Sequence, residues 1–242
     1  MNNISKEGMQ STAIGFVGAL VVFAFPFVTF IFSNLIILVH EMGHAAFGIL
    51  FSYPSIPAFD FRYGGGVTTI QSRSTFFIFI IYLLFAVGLL KISNYPRLLK
   101  AAVVAIIVYS FCAFTSIHQQ IILFMGHGTE LIIAGIFLYR GLSGSAVIHK
   151  IEQPLYSMLG FFIVFYDMRF AYRLAYVESY RIQYGNAKGG GHWMDFSQLA
   201  SWMQISLSSM AFFFLLCCIL PVVLSALAHL YREKILAFIS KA

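Results

Sequence analysis

Residues 31–51 read IFSNLIILVHEMGHAAFGILF, an apolar stretch that contains the pattern His-Glu-x-x-His at positions 40–44. About 20 apolar residues in a helix are enough to cross the hydrocarbon core of a bilayer. Residues four positions apart lie on one face of a helix, so His40 and His44 should point the same way. Glu41 and both histidines would then lie at membrane depth, where an ionisable group without a partner is costly. The stretch therefore predicts a membrane helix whose three polar side chains share a partner.

The composition of the whole chain agrees with a membrane protein. Of its 242 residues, 60% are hydrophobic and 10% are charged, whereas soluble domains carry roughly 25% charged residues. The formal net charge is +6, but the basic residues stand singly or in pairs between apolar runs, which suits membrane flanks rather than nucleic acid. The three cysteines lie in apolar runs without a CxxC pair, so they indicate neither a zinc knuckle nor a disulfide framework.

The apolar runs predict an all-α polytopic membrane protein, a single integral-membrane domain over residues 1–242 with about five to seven transmembrane helices. The helix that carries the motif is assigned to residues 31–51. The run before it continues without charge from residue 8, too long for one span, so a kink or break is predicted at Pro26 or at Ser33-Asn34. Two glycines around His127 predict a further reversal or broken helix. The later spans are assigned to 75–93, 99–125, 129–141, 154–177 and 200–230.

A change of character follows the motif directly. Residues 52–74 read SYPSIPAFDFRYGGGVTTIQSRS, with two prolines, three consecutive glycines and alternating aromatic and charged residues. This pattern predicts a small β-hairpin or loop beside the motif helix.

The motif spacing suits one metal ion. Two histidines at i and i+4 can meet one Zn²⁺, and the glutamate between them can take a proton from a water at the metal. His40 and His44 are therefore predicted as zinc ligands and Glu41 as the catalytic base. The competing interpretation is a buried polar cluster that serves only helix packing.

A catalytic zinc needs a third protein ligand, and the chain has only nine acidic residues. Apart from Glu41 itself, Glu130 and Asp167 are the two that lie in apolar surroundings, and Glu130 stands one helical turn after His127. Glu130 is favoured as the third ligand, with His127 and Asp167 as alternatives. Asp195, near a Gly-rich polar segment, is a further option.

The motif and the segment after it resemble the site-2 protease type of intramembrane metalloproteases, the M50-like family. The resemblance rests on LVHEMGHAA at 38–46 and on the following Phe-Asp-Phe and Gly-Gly-Gly, and it covers residues 31–74 well. It implies a Zn²⁺ cofactor and hydrolysis of peptide bonds in or near the bilayer. It also implies that the hairpin holds an extended substrate strand. The residues expected to contact that strand are Phe59, Phe61, Gly65 and Gly66.

The chain also departs from the family, whose third ligand is an aspartate in a Leu-Asp-Gly motif that has no counterpart here. The expected partners are membrane lipid and a transmembrane or membrane-proximal polypeptide, and the expected location is a bacterial inner membrane. The leading alternative function is a non-proteolytic membrane metal-binding or assembly protein with the same fold. Two weaker ones are a di-iron oxidase, which needs about eight clustered histidines where this chain has seven, and a transporter with a polar path through Glu41, Glu130 and Asp167.

Overall fold

The computed structural model describes residues 4–60, 65–186 and 193–240, apart from the side chains of 238–240. The chain is mostly helical and has one small two-stranded sheet. In chain order the described elements are α1 (Lys6–Ala24), α2 (Pro26–Leu50), β1 (Ser55–Phe59), β2 (Gly66–Ile70), α3 (Thr75–Lys91), α4 (Pro96–Ala113), α5 (Ile117–Ser143), α6 (Glu152–Tyr176), α7 (Glu178–Gly185), α8 (Asp195–Met203), α9 (Leu207–Cys217), α10 (Leu220–Leu230) and α11 (Arg232–Ser240).

Five helical segments are long and apolar enough to cross a membrane: Lys6–Ala24, Pro26–Leu50, Pro96–Ala113, Ile117–Ser143 and Leu207–Leu230. The last of these joins α9 and α10, which meet just before Pro221. The apolar α3 is shorter, and α6, predicted as a span over 154–177, carries Asp167 and Arg169 and is not among the five. α5 and α6 form the centre of the bundle, because α5 packs against α2, α6 and α10, and α6 packs against α1 and α9.

The predicted break before the motif occurs at Pro26. Phe25, the residue before the proline, is extended (φ −103°, ψ 105°), as expected because the proline ring disfavours a helical residue in front of it. The alternative break at Ser33-Asn34 does not form. Ser33 Oγ and Asn34 Nδ2 both donate to the carbonyl of Phe30, at 2.7 and 2.9 Å, so these polar side chains are satisfied within a continuous helix.

The predicted reversal around His127 is absent, and α5 runs unbroken through both glycines. The chain turns earlier, between α4 and α5, where Thr115 Oγ1 donates to the carbonyl of Phe111. The ranges 99–125 and 129–141 therefore correspond to α4 followed by one long α5. Glycine inside a helix costs about 1 kcal/mol relative to alanine, but both glycines lie where a Cβ would be crowded, 2.5 Å from His44 Nε2 at Gly126 and 2.8 Å from Met125 Sδ at Gly128.

The predicted hairpin is present and lies against α2. β1 and β2 pair antiparallel with Pro57 opposite Thr68 and Phe59 opposite Gly66. Gly65 closes the hairpin with φ 89°, a backbone conformation that glycine adopts without strain. The hairpin therefore places β2 directly beside the His-Glu-x-x-His turn of the neighbouring helix.

Candidate metal centre

His40 and His44 lie on one face of α2, and their Nε2 atoms are 3.0 Å apart. His44 is buried, and the His40 side chain is 15% exposed. The helix can approach α5 closely here because of Gly43, where an added Cβ would overlap the backbone oxygen of Met125. The predicted geometry of the two motif histidines is thus present.

Asp195, the first residue of α8, completes a triangle of donor atoms. Its Oδ2 lies 3.0 Å from His40 Nε2 and 3.1 Å from His44 Nε2. Zinc binds imidazole nitrogen and carboxylate oxygen at about 2.0–2.2 Å. A point at about 2 Å from all three corners of such a triangle lies roughly 1 Å out of its plane. The spacing of these three atoms is therefore compatible with one zinc ion bound to all of them.

Each imidazole also forms a hydrogen bond through Nδ1, and this bond determines which ring nitrogen carries the proton. His44 Nδ1 donates to the carbonyl of Ile122 at 2.8 Å, and His40 Nδ1 donates to Glu130 Oε1 at 3.0 Å. A neutral imidazole with its proton on Nδ1 presents a lone pair on Nε2. In the structure the two Nε2 atoms and the Asp195 oxygen lie at hydrogen-bond distance of one another. If both Nε2 atoms were unprotonated, their lone pairs and the carboxylate oxygen could bind one cation.

Asp195 is an anion in this setting. Burial acts to raise the pKa of its carboxyl, but the two imidazoles beside it outweigh that effect and hold the pKa below its usual range. Its side chain is still 22% exposed. The site thus has a negatively charged donor on the side that solvent can reach.

Glu130 forms an outer layer behind His40. It is 2% exposed, and its second oxygen accepts a hydrogen bond from His127 Nδ1 at 2.8 Å. The His127 ring lies among Phe170, Phe196 and Phe214. His40, His127 and Glu130 are also close enough to form a metal-binding group. In that group, however, Glu130 meets Nδ1 of His40, on the opposite side of the ring from Asp195.

Asp167 does not reach the histidine pair. It lies on α6, 1% exposed, and its side chain contacts the carboxylate of Glu130. The described residues supply no hydrogen-bond partner for its Oδ2. Of the four candidate third ligands, Asp195, Glu130 and His127 therefore contact the motif histidines, and Asp167 contacts only Glu130.

Gly126 makes the space in which the imidazoles meet. A Cβ at this position would lie 2.5 Å from His44 Nε2 and 2.6 Å from His40 Nε2. The glycines around His127 indicate a helix break when only the backbone is considered, but Gly126 is needed because α5 passes directly beside the Nε2 atoms of His40 and His44.

Gly126→Ala is expected to lower zinc affinity by at least about 100-fold, more than the loss of an outer hydrogen bond to a ligand. The new methyl group would overlap the Nε2 atoms, whereas the helix itself would gain stability. Gly135→Ala on the same helix is the matched control, because its Cβ would lie 3.7 Å from the nearest atom of Pro221. Competition of both variants with a fluorescent zinc chelator measures the difference. Equal affinities would place the metal elsewhere.

Glu41 lies between the two motif histidines in sequence, and its side chain contacts the hairpin. It is 7% exposed, and its Oε2 accepts a hydrogen bond from the hydroxyl of Thr68 at 2.6 Å. Gly66 lies against the same carboxylate, and a Cβ there would lie 2.6 Å from Glu41 Cδ. Of the four predicted substrate contacts, Gly66 adjoins the Glu41 side chain, Phe59 and Gly65 lie at the hairpin end, and Phe61 lies outside the described residues.

Comparison of the chain with protein-family models, with curated proteins and with solved structures gives no match.

Proposed function

We propose that the chain is a membrane-embedded zinc metalloprotease in which His40, His44 and Asp195 hold the metal and Glu41 is the base. The observation that carries the proposal is the convergence of two imidazole nitrogens and one carboxylate oxygen within 3.1 Å of one another. The sequence favoured Glu130 as third ligand. We assign Glu130 instead to orienting His40, because a carboxylate that accepts the Nδ1 proton of a zinc-bound histidine is a common outer partner of such sites.

Three protein ligands leave one coordination position open, which is typical of catalytic rather than structural zinc sites. Zinc bound there would polarise a substrate carbonyl and lower the pKa of water at the open position. Glu41 would take a proton from the attacking water and pass it to the nitrogen of the scissile bond. His40 and Asp195 remain partly exposed, so substrate and water have a route to the site.

The hairpin supports a substrate in extended form. The backbone N–H of Asp60 donates to the carbonyl of Gly65, and the backbone N–H of Gln71 donates to the carbonyl of Pro54. In an antiparallel pair, hydrogen-bonded and non-hydrogen-bonded residue pairs alternate, so these two bonds define which residues are paired in each way. Pro57 and Thr68 therefore point their backbone groups outward. The β1 edge lacks a donor at Pro57, since proline has no N–H, whereas the β2 edge offers the N–H groups of Thr68 and Ile70. We infer that a peptide strand adds to β2, the strand that touches Glu41.

The outer surface of the helices is apolar, which is typical of contact with a lipid bilayer. Large apolar side chains on α3 and α4 are strongly exposed, among them Phe76 at 68%, Ile107 at 62% and Phe111 at 62%. Exposed apolar area of this kind is stable in lipid and promotes aggregation in water. We therefore propose that the helices cross a membrane. Its identity as a bacterial inner membrane stays a prediction from the sequence.

The proposal is tested by incubating the zinc-loaded protein in lipid nanodiscs with fluorescein-labelled casein, an unstructured polypeptide. We expect peptide-bond cleavage that stops on zinc chelation and returns when zinc is restored. Zinc binding without cleavage of casein or of membrane-anchored polypeptides would favour the metal-binding or assembly protein.

Glu130→Gln is expected to weaken zinc binding by about 10- to 100-fold without removing it, the usual cost of losing an outer-layer partner. The amide keeps the shape of the side chain but is a weaker acceptor for the His40 Nδ1 proton. Zinc titration by competition with a chelator measures the change, and Glu178→Gln on the exposed start of α7 is the control. Complete loss of zinc would instead make Glu130 a direct ligand.

A further inference from the structure

Thr68 forms the one hydrogen bond that the described residues give to the Glu41 carboxylate. Its Oγ1 lies 2.6 Å from Glu41 Oε2 and 3.0 Å from the backbone oxygen of the same residue. A hydroxyl has a single proton to donate. The shorter contact has the length of a charge-assisted O–H···O⁻ bond, so the carboxylate is the principal acceptor.

A glutamate that transfers protons must be held in position, because misplacement of a reacting group by about 1 Å can cost 100-fold in rate. The Glu41 side chain has three rotatable bonds, so its carboxylate needs contacts that hold it in place. Gly66 closes one side, since any larger residue would meet the carboxylate. Thr68 fixes the remaining freedom through its hydroxyl. Both residues belong to β2, so the strand as a unit holds the carboxylate.

The same strand has the outward-facing backbone edge. Thr68 lies opposite Pro57 in a pair without mutual hydrogen bonds, so its own N–H and C=O point away from β1. Its side chain points to Glu41 of α2. A peptide that pairs with this edge would hold Thr68 in place, and Thr68 in turn holds Glu41. Thr68 would therefore both pair with the substrate through its backbone and hold Glu41 through its side chain.

We propose that Thr68 is a positioning residue for the proposed hydrolysis, which holds the Glu41 carboxylate through its hydroxyl and links it to the strand that receives substrate. The inference rests on the proposed protease function. In this proposal the hairpin binds the substrate and also positions the Glu41 base for the proton transfer.

The test compares Thr68→Val, which keeps the shape and removes the hydroxyl, with Thr68→Ser, which keeps the hydroxyl. For Thr68→Val we expect kcat to fall about 10- to 100-fold, the usual value of a hydrogen bond to a charged group, with KM within about twofold and zinc content unchanged. Thr68→Ser should restore most of kcat. Thr69→Val, one residue along on the opposite face of the strand, is the matched control and should behave as wild type.

Gly66→Ala provides a second, independent variant. Its methyl group would displace the movable end of Glu41 rather than backbone, so kcat should fall while the fold and zinc content are kept. The inference is overturned if Thr68→Val retains the wild-type kcat, if Thr68→Ser is as impaired as Thr68→Val, or if only KM changes. A wild-type protein that holds zinc but cleaves no casein would overturn the protease function itself. An active wild type with an equally active Thr68→Val variant would overturn only the role of Thr68.

Discussion

Glu41→Gln is expected to reduce peptide hydrolysis by about 100- to 10,000-fold, the range that general acid–base groups contribute, and to leave zinc content unchanged. The amide can still accept the hydrogen bond from Thr68, so the local structure should persist. It cannot take a proton from water at neutral pH. Initial rates of casein cleavage, measured with zinc content on the same sample, give both quantities.

Glu178→Gln is the control for this substitution, because it makes the same chemical change on the exposed side of α7. It should hydrolyse at the wild-type rate. A Glu41→Gln variant that cleaves as fast as wild type would exclude Glu41 as the base. A variant that loses its zinc would show instead that Glu41 supports the metal.

Asp195→Ala is expected to lower zinc affinity by more than about 100-fold, since removal of an outer partner alone costs about 10- to 100-fold. The two histidines would remain, but two neutral ligands bind zinc weakly and lack the negative charge that Asp195 brings. Dialysis against a zinc buffer followed by elemental analysis measures the loss. Ser201→Ala, an exposed position on α8, should keep its zinc.

This variant also separates the two possible third ligands. The account requires Asp195→Ala to be more damaging to zinc binding than Glu130→Gln. The opposite order would place the metal among His40, His44 and Glu130, as the sequence favoured, and would make Asp195 a partner of the metal-free histidines.

The sequence was sufficient for the parts of the site that depend on local spacing. The i, i+4 separation of His40 and His44 fixes their common face in any helix. Pro26 fixes the helix break through its missing N–H and its effect on Phe25. The glycine- and proline-rich segment predicted the hairpin, and Gly65 has a φ of 89° that favours glycine.

Contacts between distant segments could not be predicted in the same way. Asp195 meets His44 across 151 positions of sequence, and from its place near a Gly-rich polar stretch the sequence offered it only as a further option behind Glu130. Gly126 was interpreted as a helix breaker because local rules weigh its backbone freedom and not the imidazoles that fill the space beside it. Thr68 has no local signal either, since its hydroxyl acts on a residue of another element.

Zinc content together with zinc K-edge X-ray absorption on the purified wild-type protein in detergent tests the central claim most directly. The account predicts one zinc per chain with two imidazole ligands and oxygen donors at about 2.0–2.2 Å, and no sulfur ligand. A protein that takes up no zinc after loading, or a spectrum with a third imidazole such as His127, would contradict the assignment of His40, His44 and Asp195 as the metal site.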